Sequence, residues 1–304
     1  MKRVIPFLLA VFMLAGGSTV GAGDLVGVTE RMTQIPSRPG IQNRVLIYRP
    51  DTPLATVILF PDGNGRLDIS HVFNTPYLGR TDDIPTGLIH HMLRHNLTVV
   101  LVDAPSDHRS MLGINGWHGP GIFRLSNDHA RDIGAVVDSL KQQDPLPVWL
   151  AGIRMGAFSA ATAAIHLQND ITGLIIAGGI TQCPEQKILL QLCPEGLMGM
   201  PLHAITVPTL ILSDGNTFPE PMLAAALSQS PTIRYQMFPE FIDFESVGGK
   251  ETGSAAIPGV SDTHLCRQIT DFIRWQKMTN PVLLCDSAPG TLSSLEVYLV
   301  GCYY

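Results

Sequence analysis

The sequence carries little charge and lacks the features that mark several classes of protein. Charged residues make up 15% of the 304 residues and the formal net charge is -6, so the chain has no positive excess with which to bind nucleic acid. Of the five cysteines, none forms a C-x-x-C motif, which excludes a zinc knuckle or redox pair of that kind. With 45% hydrophobic residues, this composition is typical of a compact globular protein rather than a disordered one.

The first residues have the layout of a secretory signal. Lys2 and Arg3 precede an apolar run that is too short to span a bilayer comfortably, and small residues follow it. We therefore predict a signal peptide over residues 1–22, cleaved after Ala22, and a mature chain exported to the periplasm or the medium. An uncleaved membrane anchor is the alternative. After signal removal we expect no membrane span, and the oligomeric state is not predictable.

Short apolar runs alternate with helical patterns along the rest of the chain. Several of the runs are apolar at every position, as expected of parallel strands that are covered on both faces. We predict strands at RVLIYRP, ATVILFP, LTVVLVDAP, PVWLAG, GLIIAGG, PTLILSDG and TIRYQMFP. We predict helices at DDIPTGLIHHMLRHN, SNDHARDIGAVVDSLKQQ, GAFSAATAAIHLQ, PEPMLAAALSQS and SDTHLCRQITDFIRWQ. This alternation predicts an α/β fold with a mostly parallel central sheet and helices on both faces.

Two segments do not fit this alternation of predicted strands and helices. The segment 181–205 is rich in Leu, Met and Pro and lies between two predicted strands, where it would either roof a pocket as a lid or add a packed helix. Cys183 and Cys193 in this segment could close a local disulfide loop. Residues 283–304 lie beyond the last predicted helix, either as an added strand or as a tail.

Ligands of an open α/β sheet bind beyond the carboxyl ends of the strands, so the residues after each run are the informative ones. PDGNGR follows the second run, and the backbone N–H groups of Gly63 or Asn64 could form part of an oxyanion hole. A plain turn is the alternative. DAPSDH follows the third run, where Asp103 and Asp107 could bind substrate, orient the loop or hold a structural turn.

The fourth run leads into a G-x-x-x-G frame, Gly152 to Gly156, with Arg154 at its centre. Asp214 follows a later strand, and His264 stands at the start of the last long helix. Position 154, Asp214 and His264 occur in the order nucleophile, acid, histidine, which is the chain order of the α/β-hydrolases.

LFPDGNGRL, VDAPSD, NDHARDIGAVVDSL and PVWLAGIRMGAFSAA together resemble a bacterial family of exported α/β-hydrolase-fold proteins, over roughly residues 40–280. Members of that family carry a G-x-S-x-G elbow at the matching place. The resemblance implies a single α/β-hydrolase-like domain over residues 23–304. It also implies an ester or acyl hydrolase in which Asp214 orients His264, acting on a small-molecule ester without a cofactor or metal.

The sequence departs from that family at the nucleophile, because Arg154 stands where serine is expected. A guanidinium is always protonated and has no nucleophilic oxygen, so we predict that serine-type catalysis is lost. The N–H of Met155 would still be available as an oxyanion donor. Ser159 lies inside the following helix, where a packing role is favoured over a replacement nucleophile.

Three explanations of Arg154 stay open at this point. One is that the protein is a non-catalytic binder of a small anionic ligand, since a cation at the pocket floor favours a carboxylate or phosphate. Another is that Arg154 is an inactivating substitution or an error in this particular sequence. Finally, Arg154 could hold an anion while His264 promotes attack by water.

A metal site is disfavoured. His91 and His95 share one face of a predicted helix, but no H-E-x-x-H motif occurs and no third ligand is evident, so a polar helix surface is the preferred interpretation.

Overall fold

The computed structural model describes residues 26–63, 65–72, 75–80, 86–109, 123–178, 196–213, 223, 226–237 and 262–279. Its main sheet has eight strands, and a separate hairpin contributes two more. The strands are β1 (Val28–Pro36), β2 (Gln42–Pro50), β3 (Ala55–Phe60), β4 (Ile69–Val72), β5 (Thr75–Leu78), β6 (Leu97–Val102), β7 (Val148–Ile153), β8 (Gly173–Ala177), β9 (Thr209–Ser213) and β10 (Ile233–Met237). The helices used below are α1 (Thr86–Arg94), α2 (Asn127–Gln143), α3 (Gly156–His166) and α4 (Asp262–Thr279).

The main sheet runs in the order β1-β2-β6-β3-β7-β8-β9-β10. From β6 to β10 all neighbours are parallel, whereas β2 pairs antiparallel with both β6 and β1. The carboxyl ends of β6, β3, β7, β8 and β9 therefore share one edge of the sheet. This is the edge at which the sequence predicts the functional site.

The predicted fold class is confirmed, and each of the seven predicted strands is present. Every residue of β3, β6, β7 and β8 is buried, which explains their continuous apolar runs. The sequence analysis missed β1 and the β4–β5 hairpin. β1 lies at the sheet edge and carries polar and partly exposed residues at most positions, so it lacks the apolar run by which the other strands are recognised.

Helices cover both faces of the sheet. On one face, α1 and α4 pack on a cluster that includes Val99 and Trp149, and the ring of Phe272 from α4 meets Trp149 edge to face. On the other face, α2 and α3 pack on a second cluster that includes Ile58 and Leu150. Alternate residues of each strand thus serve opposite cores, which fixes the register of the sheet.

Ser126 is the N-cap of α2. Its hydroxyl accepts a hydrogen bond from the N–H of His129 at 3.1 Å and donates one to the carbonyl of Phe123 at 2.7 Å. This cap places His129 in the first turn of α2, facing the end of β3.

Part of the predicted lid segment is described. Residues 196–205 form two short 3₁₀ helices, Gly196–Gly199 and Leu202–Ala204, and Leu197 and Leu202 pack into the cluster beneath α3. The rest of 181–205, half of the helix predicted at PEPMLAAALSQS, residues 1–22 and residues 283–304 lie outside the described residues. Among those described, no helix combines the length and the apolar composition needed to cross a bilayer.

Candidate functional site

The centre of the G-x-x-x-G frame is a sharp turn between β7 and α3. Arg154 follows the last residue of the strand and has a φ of 48°, in the left-handed region that non-glycine residues rarely adopt. Its N–H donates to the carbonyl of Ala177 in β8 at 2.9 Å, and its own carbonyl accepts from the N–H of Ala157 in α3 at 3.0 Å. This strand–turn–helix is the local shape that the elbow prediction requires.

The two glycines of the frame are needed because backbone passes close to each. A Cβ on Gly156 would lie 2.0 Å from the carbonyl oxygen of Phe60 in β3. A Cβ on Gly152 would lie 2.5 Å from the Cα of Ala157. The elbow is therefore pressed against the end of β3, and this contact brings the loop after β3 to the turn.

That loop delivers a carboxylate to the elbow. Asp62 Oδ2 lies 3.2 Å from Arg154 Nε, and Asp62 Oδ1 accepts a hydrogen bond from the N–H of Met155 at 3.0 Å. The side chains are partly exposed, 24% for Asp62 and 32% for Arg154. The N–H that the sequence analysis assigned as an oxyanion donor is thus engaged by a carboxylate of the protein itself, and its role in binding a substrate stays a prediction.

A buried arginine holds the backbone of the same loop. Arg124 is 3% exposed and donates from both terminal nitrogens to the carbonyl of Pro61, at 3.1 and 3.2 Å, and from one of them to the carbonyl of Asp62 at 3.4 Å. Gly63 follows with a φ of +66°, so the chain turns sharply directly after Asp62. Asn64, the other predicted donor of this loop, lies outside the described residues.

Asp103, at the end of β6, has a different environment. It is 2% exposed, and its two carboxylate oxygens accept hydrogen bonds from four backbone N–H groups. The donors are Leu67 at 2.7 Å, Asp68 at 3.2 Å, Ile69 at 3.1 Å and Ala104 at 2.9 Å. Burial raises the pKa of Asp103, although these bonds and Arg109 act in the opposite direction. The Asp103 carboxylate thus ties the end of β6 to the connection after β3, and its role in binding a substrate stays a prediction.

Asp107 also connects loops. Both of its oxygens bind the guanidinium of Arg38, at 2.9 and 3.1 Å, and the same guanidinium binds the buried carboxylate of Asp132 on α2. The hydrogen bond with Asp132 is the main reason that the pKa of Arg38 is raised. Arg38 thus ties the turn after β1 to α2 and to the loop after β6.

His129 lies behind these loops. Phe60 and Phe123 meet its ring edge to face, with centroids 5.9 and 5.4 Å away. Burial lowers the pKa of His129 to about 3, so the ring is neutral at physiological pH. A cavity of about 30 Å³ adjoins it, lined also by Asn43, Arg124 and Ser159.

The predicted contact between the acid Asp214 and the base His264 lies outside the described residues. β9 ends at Ser213, and Asp214 is the first residue of an undescribed stretch. His264 lies in the first turn of α4, and its side chain is outside the description. Their roles as triad partners stay predictions.

The sequence analysis missed Asp62, Arg124 and His129. Asp62 was the most accessible of the three, because it stands inside the quoted PDGNGR motif directly before a glycine. That motif was interpreted only for its backbone N–H groups. A carboxylate two residues after a parallel strand, at the edge where the cationic Arg154 is expected, was the signal that could have found it.

His91, in the last turn of α1, and His95, directly after that helix, form a stacked pair. The rings of His91 and His95 lie 4.1 Å apart at an angle of 19°, and His95 Nδ1 is 3.0 Å from the carbonyl oxygen of His91. No group of three or more possible metal ligands occurs among the residues that the structure describes.

The strand order, the crossover connections and the strand–turn–helix at Arg154 define an α/β-hydrolase fold, the fold of known esterases and peptidases. No family model matches the sequence, and no curated protein matches it.

Solved structures with this fold superpose on most of the chain. An esterase from Pyrococcus furiosus aligns with a TM-score of 0.53 and 12% identity, over 81% of this chain and 92% of the esterase. A proline iminopeptidase from Mycobacterium smegmatis gives a TM-score of 0.53 and 8% identity, over 82% and 99% of the two chains. A dienelactone hydrolase from Anabaena variabilis gives a TM-score of 0.51 and 14% identity, over 82% and 98%. At these identities the likeness establishes the fold and not the reaction.

Proposed function

We propose that this chain is a binding protein for a small anionic ligand, built on the fold of ester and acyl hydrolases but without serine-type acyl transfer at position 154. The observation that carries the proposal is the pair of contacts to Asp62. The Arg154 guanidinium and the Met155 N–H both engage one carboxylate at the elbow, so the elbow has the donors of an anion site.

The loss of acyl transfer follows from the chemistry of the side chain at the turn. Arg154 offers no oxygen to attack a carbonyl and no proton that a histidine could remove. Ser159 does not replace a nucleophile at the turn, because it is 1% exposed and sits inside α3, packed against the sheet. The described residues around the elbow therefore contain no nucleophile in the position that covalent catalysis needs.

The preference for an anion follows from charge and exposure. Arg154 is a permanent cation whose side chain stays one-third exposed, so a ligand can reach it from solvent. The Met155 N–H beside it adds a neutral donor at fixed geometry. An anion held by both gains charge-assisted hydrogen bonds, whereas an uncharged ester gains little from the guanidinium.

We propose further that the chain acts after export, with residues 1–22 removed as a signal peptide and residues 23–304 forming one domain. The sequence features of residues 1–22 support this, and mass spectrometry of the mature N-terminus tests it. A chain that starts at residue 23 is the expected product, and retention of residues 1–22 would contradict export by this route.

Ester hydrolysis by the purified mature protein is the test of the main proposal. The unaltered protein and Arg154→Ala should not turn over short-chain nitrophenyl esters. Arg154→Ser, alone and combined with Asp62→Ala to release the Met155 N–H, should gain turnover and should be labelled by a fluorophosphonate at position 154. Saturable turnover by the unaltered protein that survives rigorous purification would contradict the proposal.

A further inference from the structure

We propose that the ligand of the elbow is a carboxylate, and that Asp62 is an internal competitor which this ligand must displace. The inference rests on the proposed anion site and adds the chemical class of the ligand and the group that controls access to it.

The geometry around Asp62 is that of a carboxylate site already holding a carboxylate. Its two oxygens go to two different donors, Oδ2 to Arg154 Nε at 3.2 Å and Oδ1 to the Met155 N–H at 3.0 Å. A planar group whose two acceptor oxygens have the spacing of those in a carboxylate therefore fits both donors at once. A free carboxylate reproduces this arrangement atom for atom, whereas an amide or an ester offers a neutral oxygen to the guanidinium.

The Asp62 side chain can leave without moving its loop. The backbone is fixed separately, because Arg124 binds the carbonyls of Pro61 and Asp62 and not the carboxylate. The carboxylate itself is one-quarter exposed, so rotation about its side-chain torsions takes it into water. An ion pair with this degree of exposure is weak enough to exchange.

Competition of this kind lowers the apparent affinity by the fraction of molecules in which the donors are open. If Asp62 occupies the donors about nine-tenths of the time, its removal tightens carboxylate binding about tenfold. The expected gain is tied to Asp62, because its carboxylate contacts both the Arg154 guanidinium and the Met155 N–H.

The test is a calorimetric titration of the mature protein with sodium butyrate, with butyramide as the uncharged control. Asp62→Ala should bind butyrate about tenfold more tightly than the unaltered protein. Asp62→Asn, which keeps one acceptor oxygen, should be intermediate, and none of the proteins should bind butyramide. Asp68→Asn is the matched control. Asp68 belongs to the same connection, is similarly exposed at 32%, is paired with Arg66 and Arg80, and has a φ of 52° that asparagine tolerates.

A second measurement follows the Met155 amide by ¹⁵N-edited NMR. Its resonance should move on adding butyrate to the unaltered protein, and it should be shifted in the ligand-free Asp62 variants.

Suppose that the unaltered protein and both Asp62 variants bind butyrate with equal affinity and that Arg154→Met abolishes binding. This result would overturn the proposal that Asp62 competes with the ligand, and it would leave the proposed function standing. An equal gain in butyrate affinity in Asp68→Asn would also overturn the proposal that Asp62 competes with the ligand, since loss of any nearby negative charge would then explain the gain. Absence of butyrate binding in all variants, Asp62→Ala included, would overturn the inference and the anion site together.

Discussion

Asp62 and Asp103 follow adjacent parallel strands, β3 and β6, at the same edge of the sheet, yet their surroundings are opposite. Asp103 is almost completely buried and accepts four backbone hydrogen bonds, one from its own loop and three from the connection after β3. Asp62 is partly exposed and binds one arginine and one N–H at the elbow. The difference teaches that the position after a strand does not determine what an aspartate does.

Burial and the kind of donor decide the role instead. Backbone N–H groups around Asp103 cannot find water if the carboxylate leaves, so the arrangement is fixed. The contact between Arg154 and Asp62 is partly exposed, so we expect water or a ligand to replace Asp62 at moderate cost. The molecule thus has a rigid connection at β6 beside an exchangeable contact at β3.

The largest expected effect comes from comparing these two aspartates directly. Asp103→Ala should lower the free energy of unfolding by about 4 kcal/mol, because it leaves several buried N–H groups without an acceptor. Asp62→Ala should change it by less than about 1 kcal/mol, because its ion pair is exposed. Urea denaturation measures both, and Asp103→Asn, which keeps one acceptor oxygen, should be intermediate. Similar losses of the free energy of unfolding in the two alanine variants would contradict the proposed difference between Asp103 and Asp62.

The elbow backbone is expected to be rigid even though its side-chain contact is exchangeable. Gly156→Ala should destabilise the protein by about 3 kcal/mol, because its Cβ would collide with the carbonyl of Phe60, which the sheet holds in place. Gly134→Ala in α2 is the matched control, since it meets only the flexible side chain of Leu167 and gains helix propensity. Thermal unfolding of both variants distinguishes them, and equal melting temperatures would indicate that the elbow can move away from β3.

The burial of His129 behind the loops predicts that the stability of the folded state depends on pH. His129 stays neutral in the folded state down to about pH 3, whereas an unfolded histidine takes up its proton near pH 6.5. The unfolded state therefore binds more protons between these values, and stability falls as the pH is lowered through this window. From pH 6.5 to 4.5 the unaltered protein should lose about 2 kcal/mol more than His129→Leu. Urea midpoints at the two pH values measure this, with His166→Gln as the control for removing an exposed histidine.

The smallest expected effect concerns the backbone of the turn. Arg154 has a left-handed conformation that costs a residue with a Cβ about 1 kcal/mol, and glycine adopts it freely. Arg154→Gly should therefore be about 1 kcal/mol more stable than Arg154→Ala. Both variants lose the ion pair with Asp62, so chemical denaturation of the pair isolates the backbone term. Equal stabilities would mean that the turn relaxes once the arginine is removed.

Much of the fold could be predicted from the sequence because the relevant signals are local. A run such as LTVVLV is apolar at every position only if both faces of the strand are covered, and the structure places it in the middle of the sheet. Ser126 directly precedes a helical pattern, where serine is a favoured N-cap residue, and in the structure it caps α2. β1 was not predicted, because an edge strand needs less apolar surface and only its pairing with β2 identifies it as a strand.

By itself the sequence determined the fold class, the strand–turn–helix between Gly152 and Gly156, and the presence of a guanidinium, Arg154, at the centre of that turn. These depend on residue type and on spacing along a few turns of chain. Only the tertiary structure decided which carboxylate meets that guanidinium. Met155 and its acceptor Asp62 are 93 positions apart in the sequence, and Arg38 and Asp132 are 94 apart. Such pairs are set by how the sheet orders its strands and packs its helices, because neither partner carries a local pattern that identifies the other.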